Sequence, residues 1–85
     1  MNAFVGQRVA AIDTPALVID LDAMQRNLDA MATFASQRGL RLRPHAKMHK
    51  SAWIAQQQIA HGAVGVCVQK TSEAEALAAE GVRDV

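Results

Sequence analysis

The chain has 85 residues and a formal net charge of +1, and 51% of its residues are hydrophobic. Its apolar stretches are far shorter than the roughly 20 residues that a membrane span needs, and its N-terminus lacks the charged and apolar regions of an export signal, so we expect neither membrane insertion nor export. The single cysteine, Cys67, cannot form an internal disulfide bond, which is typical of a reducing compartment and predicts a cytoplasmic protein.

Size and composition also limit the hydrophobic core. Seventeen of the hydrophobic residues are alanine, and the chain contains only one Trp and two Phe. A chain of this length buries only about 60–65% of its unfolded surface, so a core built largely from alanine would be marginal. Residues 81–85 predict the end of a helix and the first residues of a strand. We therefore expect a fragment of a larger domain.

The N-terminal half predicts one strand and one long helix. After a turn, residues 16–20 form an apolar run of strand length. Apolar residues then recur at spacings of three and four, which predicts one stripe of an amphipathic helix: Leu21, Met24, Leu28, Met31 and Ala35. Met24 and Met31 of this stripe are expected to fill the core. Asp20 or Asp22 can cap the start of this helix, and Gly39 can end it.

The middle of the chain predicts a strand, a helix and a second strand. The strand over residues 40–45 contains a proline near its end, as expected because proline cannot donate to a sheet ladder. A helix follows over residues 51–61, with Ser51 as its cap and Gly62 as its end. The apolar run at residues 64–68 then predicts another strand.

The last predicted elements complete an alternating order. Ser72 and, three residues later, Glu75 match a capping box, which opens a helix that ends at Gly81. Residues 82–85 begin a further strand. Alternation of strands and helices with short loops predicts parallel βαβ units in an α/β fold. A flavodoxin-like or Rossmann sheet shares this order, although no Gly-x-Gly-x-x-Gly or phosphate-loop motif is present.

The densest polar cluster, residues 43–50, lies where a predicted strand passes into a helix. In parallel α/β folds, ligands and catalytic groups collect at the carboxyl ends of strands. No Asp or Glu occurs between Asp29 and Glu73, whereas Arg and Lys recur through that stretch. The cluster therefore suits a phosphate-bearing ligand or nucleic acid, and a solvated basic surface is the alternative.

Three functions are consistent with this cluster. His45 and His49 could bind a metal, but a spacing of four places both imidazoles on one face only in a helix, which Pro44 disfavours, and no Cys, Asp or Glu is nearby in the sequence. A nucleic-acid surface lacks aromatic residues for base stacking apart from Trp53. Lys47 could act as a nucleophile, because neighbouring cations and partial burial favour a neutral amine.

Three blocks of the sequence carry a family resemblance. In order and spacing, residues 13–23, 43–51 and 65–76 resemble the N-terminal part of D-threonine aldolases, 3-hydroxy-D-aspartate aldolases and D-serine dehydratases. These enzymes share the alanine-racemase-like fold of fold-type III pyridoxal 5′-phosphate (PLP) enzymes. The resemblance implies that Lys47, within the motif Pro-His-x-Lys-x-His-Lys, is the catalytic lysine that holds PLP as a Schiff base.

The resemblance also implies a fold and a set of ligands. Residues 21–85 would form the first βα units of a PLP-binding TIM-like (β/α)8 barrel, incomplete here, and residues 1–20 an arm and a strand of a β domain that is absent here. Arg43, His45 and Gln69 would be cofactor-binding residues beside the lysine. No metal ligand is expected in this chain, because the family's divalent metal (Mn, Mg or Zn) is held by residues near the C-terminus of the complete enzyme.

The implied activity is that of a PLP-dependent lyase, which cleaves a β-hydroxy D-amino acid by a retro-aldol reaction to an amino acid and an aldehyde. Dehydration of D-serine or D-threonine is the alternative within the family. An inactive fragment or a non-catalytic binding module is the alternative outside it, because 85 residues lack the metal site and most of the PLP pocket. We expect a homodimer for the complete protein, no nucleic-acid or membrane partner, and little or no turnover by the chain alone.

Overall fold

The computed structural model describes residues 5–85, so residues 1–4 of the predicted arm lie outside the described range. A short 3-10 turn at Val9–Ala11 precedes three α-helices. The helices are α1 (Leu21–Gln37), α2 (Ala52–Ala60) and α3 (Thr71–Ala79). Between residues 5 and 85 no β-strand forms, and the β-type pairing consists of one isolated parallel bridge between His45 and Cys67. The four predicted strands are therefore wrong as regular strands: residues 16–20, 40–45, 64–68 and 82–85.

Three of these segments nevertheless lie side by side, and we call residues 42–46, 64–68 and 82–85 the first, second and third extended segments. The second segment lies between the other two, because its backbone is hydrogen-bonded to both of them. Neighbours in the sequence are thus neighbours in space, with one helix between each pair. This is the order expected of consecutive parallel βαβ units.

The pairing of the first and second segments explains why no regular strand forms. The Val64 N–H donates to the Leu42 carbonyl (2.9 Å), the Cys67 N–H to the Pro44 carbonyl (2.9 Å) and the Ala46 N–H to the Cys67 carbonyl (2.8 Å). From the first to the second of these bonds, one segment advances by two residues and the other by three, which is the residue count of a β-bulge. Pro44 has no N–H to donate. The bulge and the proline therefore interrupt the ladder.

The third segment approaches the second at a glycine. The Val66 N–H donates to the Asp84 carbonyl at 3.0 Å. A Cβ atom on Gly65 would lie 2.5 Å from that carbonyl oxygen and 2.6 Å from Nη1 of Arg43. A glycine inside an extended segment often marks such a close approach of another backbone. Gly65 therefore allows the second and third segments to lie together.

Helix α1 begins and ends as the sequence predicts. The Asp20 carboxylate accepts a hydrogen bond from the Ala23 N–H (3.0 Å), and Gly39 has a φ of 64° at the C-terminal end. The predicted burial of its apolar stripe is only partly correct. Ala35 is buried, but Met31 is 51% exposed, so the prediction that Met31 fills the core is wrong. The physical reason is that the apolar stripe borders an open groove rather than a packed layer.

Helix α2 follows the sequence prediction closely. Its first turn is capped by Ser51, whose hydroxyl accepts a hydrogen bond from the Ile54 N–H (3.2 Å). Gly62, with a φ of 109°, follows the helix and allows the chain to reverse. Ala55 is fully buried on the inner face of the helix, as predicted, while Ile59 packs against the core and stays partly exposed.

Helix α3 begins two residues earlier than the capping-box pattern requires. Its N-cap is Lys70, which makes no side-chain capping bond, and Thr71 is its first residue. The predicted capping box with Ser72 at the cap is therefore wrong, because Ser72 already lies inside the helix. The predicted end is correct, since Gly81 has a φ of 94° just after the helix.

The hydrophobic core lies between the extended segments and helices α2 and α3. Its buried members come from both layers: Ala46, Ala55, Val66, Leu77 and Val82. Small side chains on both layers allow helix and segment backbones to approach closely, which suits an alanine-rich sequence. In the part of the chain from residue 5 onward, none of the helices has the length and apolar character needed to cross a membrane.

Candidate active site

Lys47 lies on a tight turn immediately after the first extended segment. We call residues 46–50 the Lys47 turn, which is closed by a hydrogen bond from the Lys50 N–H to the Ala46 carbonyl (2.8 Å). Ala46 is buried in the core, whereas Lys47 and Met48 are exposed. The exposed Lys47 thus follows directly after a buried residue, at the carboxyl end of an extended segment. This is the placement that the sequence predicts for a catalytic lysine.

His45 fixes the backbone at the start of this turn. Its Nδ1 accepts a hydrogen bond from the Lys47 N–H at 3.0 Å. A neutral imidazole that accepts at Nδ1 carries its proton on Nε2. The residue also forms the parallel bridge to Cys67, so the backbone before Lys47 is held from two sides. His45 therefore orients the lysine-bearing backbone and keeps an Nε2–H donor at the exposed end of the segment.

His49 has a structural role at the start of α2. Its Nδ1 accepts from the Ser51 N–H (2.9 Å), and its Nε2 lies 3.3 Å from Oε1 of Gln58, to which it donates in that tautomer. Both ring nitrogens of His49 are thus satisfied locally. No group of three His, Cys, Asp or Glu side chains suited to a metal ion occurs within residues 5–85. The alternative of metal binding by His45 and His49 gains no support from this geometry.

Arg43 lies with its guanidinium against the third extended segment. Its Nη1 is 2.8 Å from Oδ1 of Asp84 and donates more weakly to the Val66 carbonyl at 3.3 Å. Arg43 thereby connects all three extended segments beside Gly65. The side chains of Arg43 and Asp84 remain 40% and 59% exposed, so the pair is a surface ion pair. Sequence reasoning missed Asp84, because the two partners are 41 positions apart.

Gln69 and Cys67 lie at the carboxyl end of the second extended segment. Gln69 is exposed and follows this segment just as Lys47 follows the first. No side-chain hydrogen bond joins it to the lysine among the contacts of residues 5–85. Cys67 is a half-buried free thiol whose Sγ lies 3.8 Å from the Arg43 carbonyl. The position of Gln69 is compatible with a ligand-facing role, whereas Cys67 belongs to the packed segment.

Glu73 is a residue of this region to which the sequence pattern assigns no role at the site. It lines a cavity of about 190 Å³ between the Lys47 turn and α3. Its Oε2 is buried and has no hydrogen-bond partner. Glu73 is also the first acidic residue in the chain after Asp29. That gap in the charge pattern is the signal in the sequence that sets Glu73 apart, because Glu73 is the first carboxylate on the C-terminal side of the basic cluster.

Comparison with known proteins assigns the family of this chain. The sequence profile of the alanine racemase N-terminal domain matches residues 19–84, which include the Lys47 turn and all three helices. The chain belongs to this family. The family resemblance expected from the three sequence blocks is thereby confirmed.

The curated relatives of this family member are lyases. The chain is 48% identical over 84 residues to the 3-hydroxy-D-aspartate aldolase of Paracoccus denitrificans, covering 98% of this chain and 22% of that protein. It is 48% identical over 80 residues to the D-threonine aldolase of an Arthrobacter species, covering 94% and 21%. It is 49% identical over 74 residues to the D-threo-3-hydroxyaspartate dehydratase of a Delftia species, covering 87% and 20%. The chain thus spans about a fifth of the length of these relatives.

Solved structures of the same kind superpose well on this family member. The crystal structure of D-threonine aldolase from Filomicrobium marinum matches with a TM-score of 0.84 and 57% sequence identity, covering 87% of this chain and 20% of that one. A mutant of D-threo-3-hydroxyaspartate dehydratase in a metal-free form matches with a TM-score of 0.83 and 49% identity, covering 87% and 20%. Both the fold of this portion and its sequence are therefore shared with these enzymes.

Proposed function

We propose that this chain is the lysine-bearing N-terminal portion of a PLP-dependent lyase that cleaves the Cα–Cβ bond of β-hydroxy D-amino acids. The observation that carries the proposal is the exposed Lys47 on a closed turn at the carboxyl end of the first extended segment. The identity of 48% to two aldolases, which extends across this turn, supports the same activity. The products would be an amino acid and an aldehyde.

The residues around Lys47 fit the aldehyde end of PLP. An accessible primary amine is the group that binds a carbonyl covalently. Lys47 takes part in neither of the two ion pairs formed within residues 5–85, so its amine is not held by a carboxylate there. The donor set of this turn therefore fits the cofactor.

Each residue of the site would have a distinct task. Lys47 would bind the cofactor covalently through its Nζ, and His45 would hold the Lys47 backbone through the bond to its N–H. Gln69, at the end of the neighbouring segment, would contact the cofactor or substrate from the side. Arg43 would act mainly by tying the three extended segments together, because its guanidinium is already paired with Asp84.

The chemistry of bond cleavage belongs largely to the cofactor. When bound, PLP supplies an electron sink for the electron pair released at Cα. The protein contributes orientation: the Lys47 turn fixes where the amine lies, and the buried Ala46 prevents the turn from shifting. A divalent metal (Mn, Mg or Zn), if used, would need ligands from beyond this chain, since residues 5–85 do not supply a metal site.

The larger architecture is part of the same proposal. Residues 21–85 would begin the (β/α)8 barrel of a fold-type III enzyme, and the three extended segments would take the places of its first strands. Residues 1–20 would belong to a separate β domain, which is consistent with the full exposure of Leu17 within the predicted strand. The complete enzyme would be a homodimer.

The direct test uses the full-length protein, that is, this chain with the continuation that its relatives have. Borohydride reduction in the presence of PLP should label Lys47, as read by peptide mapping. The variant Lys70→Gln serves as the matched control and should leave the label in place. A label on Lys50 or Lys70, with none on Lys47, would overturn the assignment.

Dehydration is the second candidate, because one relative at 49% identity is a dehydratase. The two activities give different products from D-threo-3-hydroxyaspartate. Cleavage of Cα–Cβ yields glycine and glyoxylate, whereas loss of water followed by hydrolysis yields oxaloacetate and ammonia. Release of ammonia without glyoxylate would identify the dehydratase, and the reverse result would identify the aldolase.

The third candidate is a chain without catalytic activity. This chain spans about a fifth of the length of its relatives, and its residues 5–85 lack a metal-ligand cluster. We expect no turnover of D-threonine by the 85-residue chain supplied with PLP and manganese, and clear turnover by the full-length protein. Turnover by the short chain would show that the missing four-fifths are dispensable.

A further inference from the structure

Glu73 holds a carboxylate against the Lys47 turn without a partner for one of its oxygens. The Oε2 atom is buried and accepts no hydrogen bond. Glu73 is one of the residues that line the cavity of about 190 Å³ between α3 and the turn, and the others are Ala46, Lys50, Ser72, Ala76 and Leu77. A buried carboxylate oxygen is costly unless it is paired. A cation or a hydrogen-bond donor next to the Glu73 carboxylate would therefore stabilise it.

Lys50 is the cation that this cavity offers. It is the one basic residue that lines the cavity, and it takes part in neither ion pair formed by residues 5–85. Glu73 and Lys50 thus line the same small cavity, Glu73 from α3 and Lys50 from the Lys47 turn. Ser72 also borders it and is the competing donor.

The backbone of Lys50 supports a specific role for its side chain. Its φ of 51° lies in the left-handed region, which disfavours residues with a Cβ atom and is commonly occupied by glycine. A glycine at position 50 would adopt this φ without strain. A lysine in such a conformation is explained if its ammonium makes a contact that glycine cannot provide.

We propose that Glu73 is a positioning residue, which pairs with Lys50 across the cavity and thereby fixes the turn that carries Lys47. Lys50 closes the turn through its N–H to Ala46, so an ion pair at its side chain restrains both ends of the turn. Glu73 does not touch the reacting atoms in this scheme. The inference rests on the proposed function of Lys47 as the PLP lysine.

A double-mutant cycle in the full-length holoenzyme tests the pair. Glu73→Gln keeps the shape of the side chain, and Lys50→Gln removes the ammonium. We expect each to weaken PLP binding, read from the visible absorbance of the bound cofactor, by about tenfold, the size typical of a charged hydrogen bond. The double variant should be no weaker than either single variant. Multiplication of the two losses would overturn the pairing.

Two further variants separate positioning from simple stability. Lys70→Gln is the matched control, because Lys70 lies at the start of α3 but does not line the cavity, and it should leave PLP binding unchanged. Ser72→Ala should also have no effect. A loss in Ser72→Ala equal to that in Glu73→Gln, with Lys50→Gln unchanged, would assign the partner to Ser72 and overturn the proposal. A lowered melting temperature of the apoenzyme with unchanged PLP affinity in Glu73→Gln would also overturn it.

If Glu73→Gln does not fold, the exchange Lys50→Glu with Glu73→Lys provides the second route. Recovery of PLP binding by the exchange, relative to Lys50→Glu alone, would support the pair, and no recovery would contradict it. Failure of this inference is distinguishable from failure of the proposed function. Borohydride labelling of Lys47 in the unmodified enzyme tests only the proposed function. The double-mutant cycle tests only the pairing of Glu73 with Lys50.

Discussion

The two regions of the chain, residues 5–39 and residues 40–85, differ in how they bury apolar side chains. The later region contains nearly all of the buried hydrophobic residues, and the earlier one contributes only Ala35. The earlier region leaves its large apolar side chains exposed: Val5, Val9, Leu17, Val18, Ile19, Leu21, Met31 and Phe34. Each region contains a helix with a side-chain N-cap, α1 with Asp20 and α2 with Ser51, so helix formation alone does not create a core. A core forms here only where helices meet extended segments that are hydrogen-bonded to one another.

An open apolar groove marks the border between the two regions. It has a volume of about 670 Å³ and lies between α1, residues 18–20, the first extended segment and α2. His61 crosses it at one end: Nδ1 donates to the Gln57 carbonyl (2.7 Å), and Nε2 lies 2.6 Å from the Gln25 amide nitrogen and 3.2 Å from the Asp29 carboxylate. Polar contacts therefore hold α1 beside α2, whereas apolar packing holds the later region together.

The largest expected effect is the loss of a core side chain in the later region. Leu77→Ala removes a side chain that is 4% exposed, and we expect the free energy of unfolding to fall by about 2–4 kcal/mol. Met31→Ala is the matched change in the earlier region and should cost less than about 0.5 kcal/mol, as expected for exposed positions. Denaturation followed by circular dichroism measures both. Equal losses would show that α1 packs as tightly as α3.

The next effect concerns the close approach at Gly65. In Gly65→Ala the new Cβ would meet the Asp84 carbonyl oxygen, a backbone atom that cannot rotate away, so we expect a loss of about 1–3 kcal/mol. A Cβ at position 65 would also meet Nη1 of Arg43. The same change in an Arg43→Ala background removes this contact and keeps the contact with the Asp84 carbonyl oxygen. Denaturation midpoints should show that most of the loss persists. Full recovery in that background would place the strain on Arg43 instead.

Helix caps give a smaller effect that again separates the regions. Ser51→Ala removes the cap of α2 and should cost about 1 kcal/mol of global stability. Asp20→Ala removes the cap of α1, and we expect it to lower amide-exchange protection within α1 alone, because that helix adds little to the core. Ser72→Ala is the control inside α3 and should be neutral. A loss in Ser72→Ala as large as in Ser51→Ala would restore the capping box that the structure contradicts.

The smallest effect belongs to the exposed ion pairs. Arg43→Gln breaks the pair with Asp84 and should cost about 0–1 kcal/mol at low salt. Roughly 1 M salt, which shortens the screening length to about 3 Å, should abolish the difference between Arg43→Gln and the unmodified chain. A loss that persists at high salt would instead reflect the lost contact with the Val66 carbonyl, which lies at 3.3 Å.

Local chemistry in the sequence predicts the helices well. Asp20, Ser51 and the glycines after each helix act within a few residues of their own position, so their effect does not depend on the rest of the fold. The extended segments were harder to predict, because pairing depends on register. The bulge between the first two segments and the missing N–H of Pro44 become visible only once the partners are known.

The same distinction applies to the site. Lys47 could be selected from its position at a predicted strand end, and the family resemblance strengthened that choice. The partners of Arg43 and the cavity at Glu73 come from residues that are distant in the sequence. Local patterns carry no information about such contacts. Glu73 belongs to no local motif, although it has a buried carboxylate oxygen and lines the cavity beside the Lys47 turn.

The apolar groove determines how long the apolar side chains of α1 stay without packing partners while the chain is synthesised. Helix α1 leaves the ribosome before Ile54, Gln58 and His61, which form the opposite wall of the groove. At about 5–20 residues per second, the apolar stripe of α1 waits on the order of seconds for any surface to lie against. During that interval the apolar side chains of α1 lack the neighbours that they have in the folded chain.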